Sequence, residues 1–186
     1  MTHVAADEID DASRQPLLAE YLTIQRYVMS VVYWAGRGLT KLPGLGDADG
    51  YPAENILFVG REPMLRDLWD DENYYSAYHC AEVRYFSLRD LWTCNNWIIG
   101  LAYMVGCTEA LLDAGAAVPF RDLFIWADGG WVAGPKTSAR VAAEFAEWDE
   151  RAKKVAYEDF YAIYVRMREM FEWCALDGAV CCRSVG

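Results

Sequence analysis

The sequence predicts a mainly α fold: a helical bundle with two long helices, at about 87–114 and 138–175, and a Gly/Pro-rich irregular connection at 36–63. Three observations predict it. No glycine or proline occurs between Lys136 and Asp177, and Val141, Phe145, Trp148, Ala152, Ala156, Phe160, Tyr164, Met167, Phe171 and Cys174 keep three-or-four spacing. A second stripe of the same period runs through Leu88, Leu91, Trp92, Asn95, Ile99, Ala102, Val105 and Leu112, opened by Ser87 with Asp90 three residues on and closed by Gly115. The connection holds six of the fourteen glycines and three of the six prolines. Its one apolar run, Asn55 to Val59, suits a short strand or a buried turn.

The remaining elements follow in chain order. Residues 1–13 carry Asp7, Glu8, Asp10 and Asp11 and no apolar run, which predicts a flexible acidic tail rather than a secretory signal and hence a cytoplasmic protein. Pro16 opens a helix whose face is Leu17, Leu18, Tyr21, Leu22, Gln25, Val28, Val31 and Val32, ended by Gly36 and Gly38. Met64 to Asp71 reads as a short helix, Pro119 to Trp126 as a short helix or strand, and Asp128 to Gly130 as a turn. The domain expectation is one helical unit over 14–178 and a flexible C-terminal tail over 179–186.

The last helix poses a geometric problem. About 37 residues at 1.5 Å rise span roughly 55 Å, whereas a compact domain of this size is about 40 Å across. The helix therefore bends near its charge-dense 149–159 stretch, or it projects onto a second chain. The second solution predicts a homodimer with Trp148, Phe160, Tyr164, Met167 and Phe171 across the interface. Either way, Glu147 with Arg151, Asp149 with Lys153 and Glu150 with Lys154 stand at i, i+4 on the outer face.

Composition bounds the function. An apolar fraction of 54% with 15% aromatic residues over 186 positions supports a real core. A net charge of −11 argues against direct nucleic-acid binding, because phosphate affinity comes from Lys and Arg displacing counterions, and it favours a basic protein partner. Leu91 to Thr108 is uncharged over 18 residues, but Thr93, Asn95 and Asn96 interrupt it and no basic flank orients it, so a core helix is expected and no membrane span. The six cysteines, at 80, 94, 107, 174, 181 and 182, have no regular spacing and read as free buried thiols.

No pattern reaches the standard of a catalytic, metal or cofactor site. Gly129 to Thr137 has the glycines of a phosphate-binding loop, but Pro135 displaces Lys136 by one residue and removes a backbone donor, so a turn and helix start is the expectation. Asp47, Asp49, Gly50 and Glu54 have calcium-loop ingredients in the wrong register and read as a solvated turn. His79 and Cys80 are adjacent and point apart, which prevents them from acting as base and nucleophile for each other.

The segment from Asp67 to Tyr75 is the candidate partner-binding site. There Asp67, Asp70, Asp71 and Glu72 are interleaved with Trp69, Tyr74 and Tyr75. Aromatic residues supply contact energy at an interface, and carboxylates steer it toward a basic groove. Glu144, Glu147, Glu158, Glu169 and Glu172 form a second acidic surface. The functional expectation is a small acidic inhibitor, of the anti-defence (anti-CRISPR) or toxin-immunity kind, whose carboxylates act as phosphate mimics and occlude the basic surface of a nuclease, nucleic-acid-binding complex or toxin. The rival expectation is a structural homo-oligomer built on the long helix, and a remote alternative is a nucleotide-binding enzyme using the 129–137 glycine loop.

Overall fold

The computed structural model describes residues 30–59, 76–88, 91–125, 132–157 and 159–185. It overturns the helical-bundle expectation, because a five-stranded antiparallel sheet, curled into half a barrel, organises the chain. The strands are β1 (Ser30–Lys41), β2 (Ile56–Val59), β3 (Ser76–Leu88), β4 (Val132–Ala133) and β5 (Gly178–Val185), in spatial order β2-β3-β1-β5-β4.

β1 explains the error. Its Val31-Val32-Tyr33-Trp34 run is β-branched and aromatic, the composition that suits a pleated surface. Both faces of the strand are buried: Tyr33 and Ala35 enter the main core, Trp34 the opposite one. A strand covered on both sides loses its apolar/polar alternation and reads as a continuous apolar run, which Val31 and Val32 let pass as the end of a helical stripe. The rest of that expected helix, residues 16–29, lies outside the described residues. β5 was missed for the same reason. Ala179 and Cys181 face one core, Val180 and Cys182 the other, and the strand pairs with β1 from Ser30 opposite Val185 to Arg37 opposite Gly178. The stretch expected as a C-terminal tail is thus a strand inside the sheet.

The β1–β3 ladder, with Trp34 opposite Tyr85 and Leu39 opposite Cys80, skips the Gly38 and Ala81 step. Gly38 has φ +67, and a Cβ there would sit 2.9 Å from the Ala81 Cβ. Before this point Trp34 faces the second core, and after it Leu39 does, an odd-numbered position in place of an even one. Such a break in alternation bends the strand and increases its twist.

Helices cover one face. They are α1 (Leu91–Val105), α2 (Glu109–Asp113), α3 (Arg121–Ile125), α4 (Pro135–Glu147), α5 (Asp149–Ala152) and α6 (Phe160–Cys174). The expected helix at 87–114 is shorter and divided: Ser87 and Leu88 finish β3, and Gly106 at φ +67 ends α1. There Cys107 N–H reaches the Ala102 carbonyl at 2.8 Å and Gly106 N–H that of Tyr103 at 3.1 Å, the paired bonds of a left-handed helix stop. Gly115 ends α2 in the same way.

The 138–175 helix breaks at its charge-dense 149–159 stretch, the first of the two solutions to its length. α4 stops at Trp148, the short α5 follows, and the chain turns through 153–157 before Asp159, at φ +63, leads into α6. Aspartate is among the few non-glycine residues that enter this region readily. The corner lays α6 back on α4, with the Phe145 ring 4.8 Å from Tyr164 and 5.9 Å from Phe171. Of the expected ion pairs, Asp149–Lys153 forms at 2.7 Å, whereas Lys153 also takes Glu150 at 2.5 Å and Arg151 lies against the Trp148 ring at 4.5 Å. Among the described residues no helix is long and apolar enough to cross a membrane.

Candidate interaction surface

Asp67, Trp69, Asp70, Asp71, Glu72, Tyr74 and Tyr75, and with them the expected Met64–Asp71 helix, lie outside the described residues. The five side chains expected across a dimer interface are placed inside this chain instead. Phe160, Tyr164, Met167 and Phe171 are fully buried in the main core, and Trp148 packs against it. Their strict spacing reflects a helix hairpin closing on itself and on the sheet.

The acids of the last helices are largely consumed locally. Glu144 accepts the backbone N–H of Phe120 at 2.7 Å and pairs with Arg140 at 2.8 Å. The Phe120 backbone is left-handed at φ +58 with its side chain buried, so this carboxylate holds a strained turn in place. Glu169 pairs with Arg166 and Glu172 with Arg168. Glu147 is exposed, and Glu158 lies outside the described residues.

An acid-and-aromatic surface does form elsewhere, on the connection between β1 and β2. Two 3-10 turns, Leu45–Gly50 and Ala53–Asn55, carry Asp47, Asp49 and Glu54, all exposed and without an ion pair among the described residues. Beside them are Leu45, Tyr51, Phe58 and Tyr85, each between 42% and 55% exposed. The Tyr51 ring lies tilted against the His79 imidazole, with centroids 4.3 Å apart.

Side-chain hydrogen bonds from the sheet fix the connection. The Trp34 indole N–H donates to the Glu54 carbonyl at 2.9 Å, and the Tyr85 hydroxyl donates to the same oxygen at 3.3 Å. Asn55 Nδ2 donates to the Cys80 carbonyl at 3.0 Å. Beneath the first turn, Ala48 packs with Leu42, Ile56 and Ala77. Asp47, Asp49 and Glu54 are therefore presented from a fixed frame, which lowers the ordering cost of binding. In the sequence these three acids read only as a solvated turn with calcium-loop ingredients in the wrong register; the signal that points to a surface is Tyr51, set between Gly50 and Pro52 in a connection long enough to carry function.

His79 lies against Tyr51 while Cys80 is buried in the second core, so the two side chains diverge. All six cysteines are free and buried. Burial pushes the thiols of Cys94 and Cys107 up to about 11 and those of Cys174 and Cys182 up to about 12, which leaves these four un-ionised and poorly nucleophilic near neutrality. Pro135 stands in the first turn of α4 and Gly134 at its N-cap, where the backbone enters the helix; 126–131 lies outside the described residues. Among the described residues no three His, Cys, Asp or Glu side chains come together as a metal-binding set.

No protein-family model, curated protein or solved structure matches the chain.

Proposed function

We propose that this is an acidic binding protein that engages a partner with a basic functional surface, such as a nuclease, a nucleic-acid-binding complex or a toxin, and inhibits it by occlusion. The observation that carries the reading is the surface formed by Asp47, Asp49 and Glu54 with Tyr51 and Tyr85 on a hydrogen-bonded frame. Carboxylates held this way can stand where a basic groove receives phosphates, and the net charge of −11 raises the rate of encounter with such a groove. The aromatic rings supply the apolar contact that charge alone lacks. The Asp67 to Tyr75 segment has the same composition and is proposed as a second part of the partner-binding surface.

The test is capture of a partner from a lysate of the source cells by the immobilised protein, with duplex DNA or RNA as competitor. Charge reversal by Asp47→Lys with Asp49→Lys, and separately by Asp70→Lys with Asp71→Lys, is compared with the unaltered chain. The expected outcome is capture that nucleic acid displaces, that raised salt weakens, and that either double variant reduces tenfold or more. Capture insensitive to salt, competitor and both variants would remove the occlusion reading.

A further inference from the structure

We propose that Arg84, with Arg37 beside it and Trp173 beneath both, forms a binding site for a carboxylate ligand, separate from the acidic surface. Arg37 on β1 and Arg84 on β3 occupy neighbouring cross-strand positions, since Arg37 is opposite Glu82 and Ala35 opposite Arg84. Ala35 enters the main core, so this is the helix-covered face of the sheet, and Trp173 arrives there on the last turn of α6. The Arg84 guanidinium carbon lies 4.3 Å from the Trp173 ring centroid and that of Arg37 lies 5.2 Å from it.

Two like charges against one indole need compensation, and the described residues supply half of it. Glu82 takes Arg37 at 2.9 Å. Arg84 has the ring contact but, among the described residues, no carboxylate and no hydrogen-bond acceptor. A guanidinium carries five N–H donors in a fixed fork that matches a carboxylate, and its contact with an aromatic ring limits the ways it can be displaced. The negative end of α6 lies close by and favours cations, but neither arginine bonds to its terminal carbonyls. The site is open to solvent: the Arg37 and Glu82 side chains are 40% and 56% exposed, and Arg84 is exposed as well.

Charge selects the ligand class. With Arg37 matched by Glu82, Arg84 is left as the guanidinium without a carboxylate partner among the described residues, which suits a monoanion. A phosphate dianion would meet both Glu82 and the field of a chain at −11. The floor is rigid, because Trp173 packs against the main core and its neighbour Cys174 is fully buried. A carboxylate can come from a small acid or from a Glu or Asp side chain of a peptide.

The test follows the Trp173 indole N–H signal by NMR, assigned with Trp173→Phe, during titration to about 100 mM ligand, a range that detects millimolar affinity. The probes are acetate, propionate, an acetylated and amidated Gly-Glu-Gly tripeptide, and chloride and phosphate at matched ionic strength. Saturable shifts with the carboxylates and none with chloride are expected. Arg84→Gln should weaken acetate binding at least tenfold, and Glu82→Gln should tighten it severalfold by releasing Arg37. A purely structural stack has no reason to show that opposite pair of effects. Tripeptide binding at least tenfold tighter than acetate assigns the site to a peptide side chain, and equal or weaker tripeptide binding assigns it to a small acid. Equal binding of phosphate, no saturable shift, or indifference to both variants overturns the proposal.

Discussion

The Tyr164 hydroxyl donates a hydrogen bond to the Phe145 carbonyl oxygen at 2.6 Å, and this bond ties the two halves of the broken C-terminal helix together. Phe145 is in the last turn of α4, where carbonyls have no partner further along the helix, and Tyr164 is in the first turns of α6. Both side chains are buried, so water is not on hand to replace the bond.

Tyr164→Phe keeps the ring and its packing on Phe145 and removes only the hydroxyl. The loss expected is about 1–2 kcal/mol, from a buried carbonyl left without its donor. Urea denaturation followed by circular dichroism checks it: the midpoint should fall with an unchanged slope. A midpoint equal to that of the parent chain would mean the corner is held by packing alone.

That bond also marks the limit of what periodicity could tell. The residues that predicted one long helix are those that two helices bury against each other, because a hairpin and a straight helix share the same apolar spacing. That the helix must either bend or reach a second chain was legible in the mismatch between about 55 Å of helix and about 40 Å of domain, and the charge-dense 149–159 stretch marked where a bend would fall; its turn residue, Asp159, was not legible, since no glycine or proline stands there. The sheet was lost for a different reason. Trp34 and Tyr33, like Cys181 and Cys182, are buried on opposite faces, so no alternation of polar and apolar residues announced a strand. The three acids of the candidate surface were visible as a group, but Tyr85 joins them only through the β1–β3 pairing that the helical reading lacked.

The buried thiols set an alkaline limit on stability. Burial raises the folded-state values to about 11 for Cys94 and about 12 for Cys174 and Cys182, whereas an unfolded thiol ionises near 8.5. Burial also pushes the Tyr33 and Tyr164 hydroxyls up, which acts in the same sense. The folded state therefore retains protons that the unfolded chain releases. The stabilisation is fully present below about 8.5 and is lost as pH rises toward the folded values, by about 1.4 kcal/mol per pH unit for each proton retained. Urea midpoints from pH 7 to 10 should fall steadily above pH 8.5, and Cys182→Ala should make that fall shallower. A flat profile in the parent chain would show that these groups titrate alike in both states.

The floor beneath Arg37 and Arg84 depends on how closely α6 and β5 approach β1, and Gly178 sets that approach. A Cβ at Gly178 would lie 2.6 Å from the Gly36 carbonyl oxygen and 2.8 Å from the Cys174 Cα. Both are backbone atoms in packed elements, so no flexible side chain can move aside, and Gly178→Ala must push the end of α6 off the sheet. The expected loss is about 2–3 kcal/mol, the upper range for overpacking. Trp173 would move with the helix end, and the cation contacts with Arg37 and Arg84 would lengthen. Gly46→Ala is the control, because a Cβ there meets nothing within 4 Å and its effect should stay within about 0.5 kcal/mol. Denaturation midpoints for the two variants, read beside the position of the Trp173 indole signal, separate the cases. If Gly178→Ala matched Gly46→Ala on both readouts, the close approach of α6 to β1 would not be what fixes Trp173 under the two arginines.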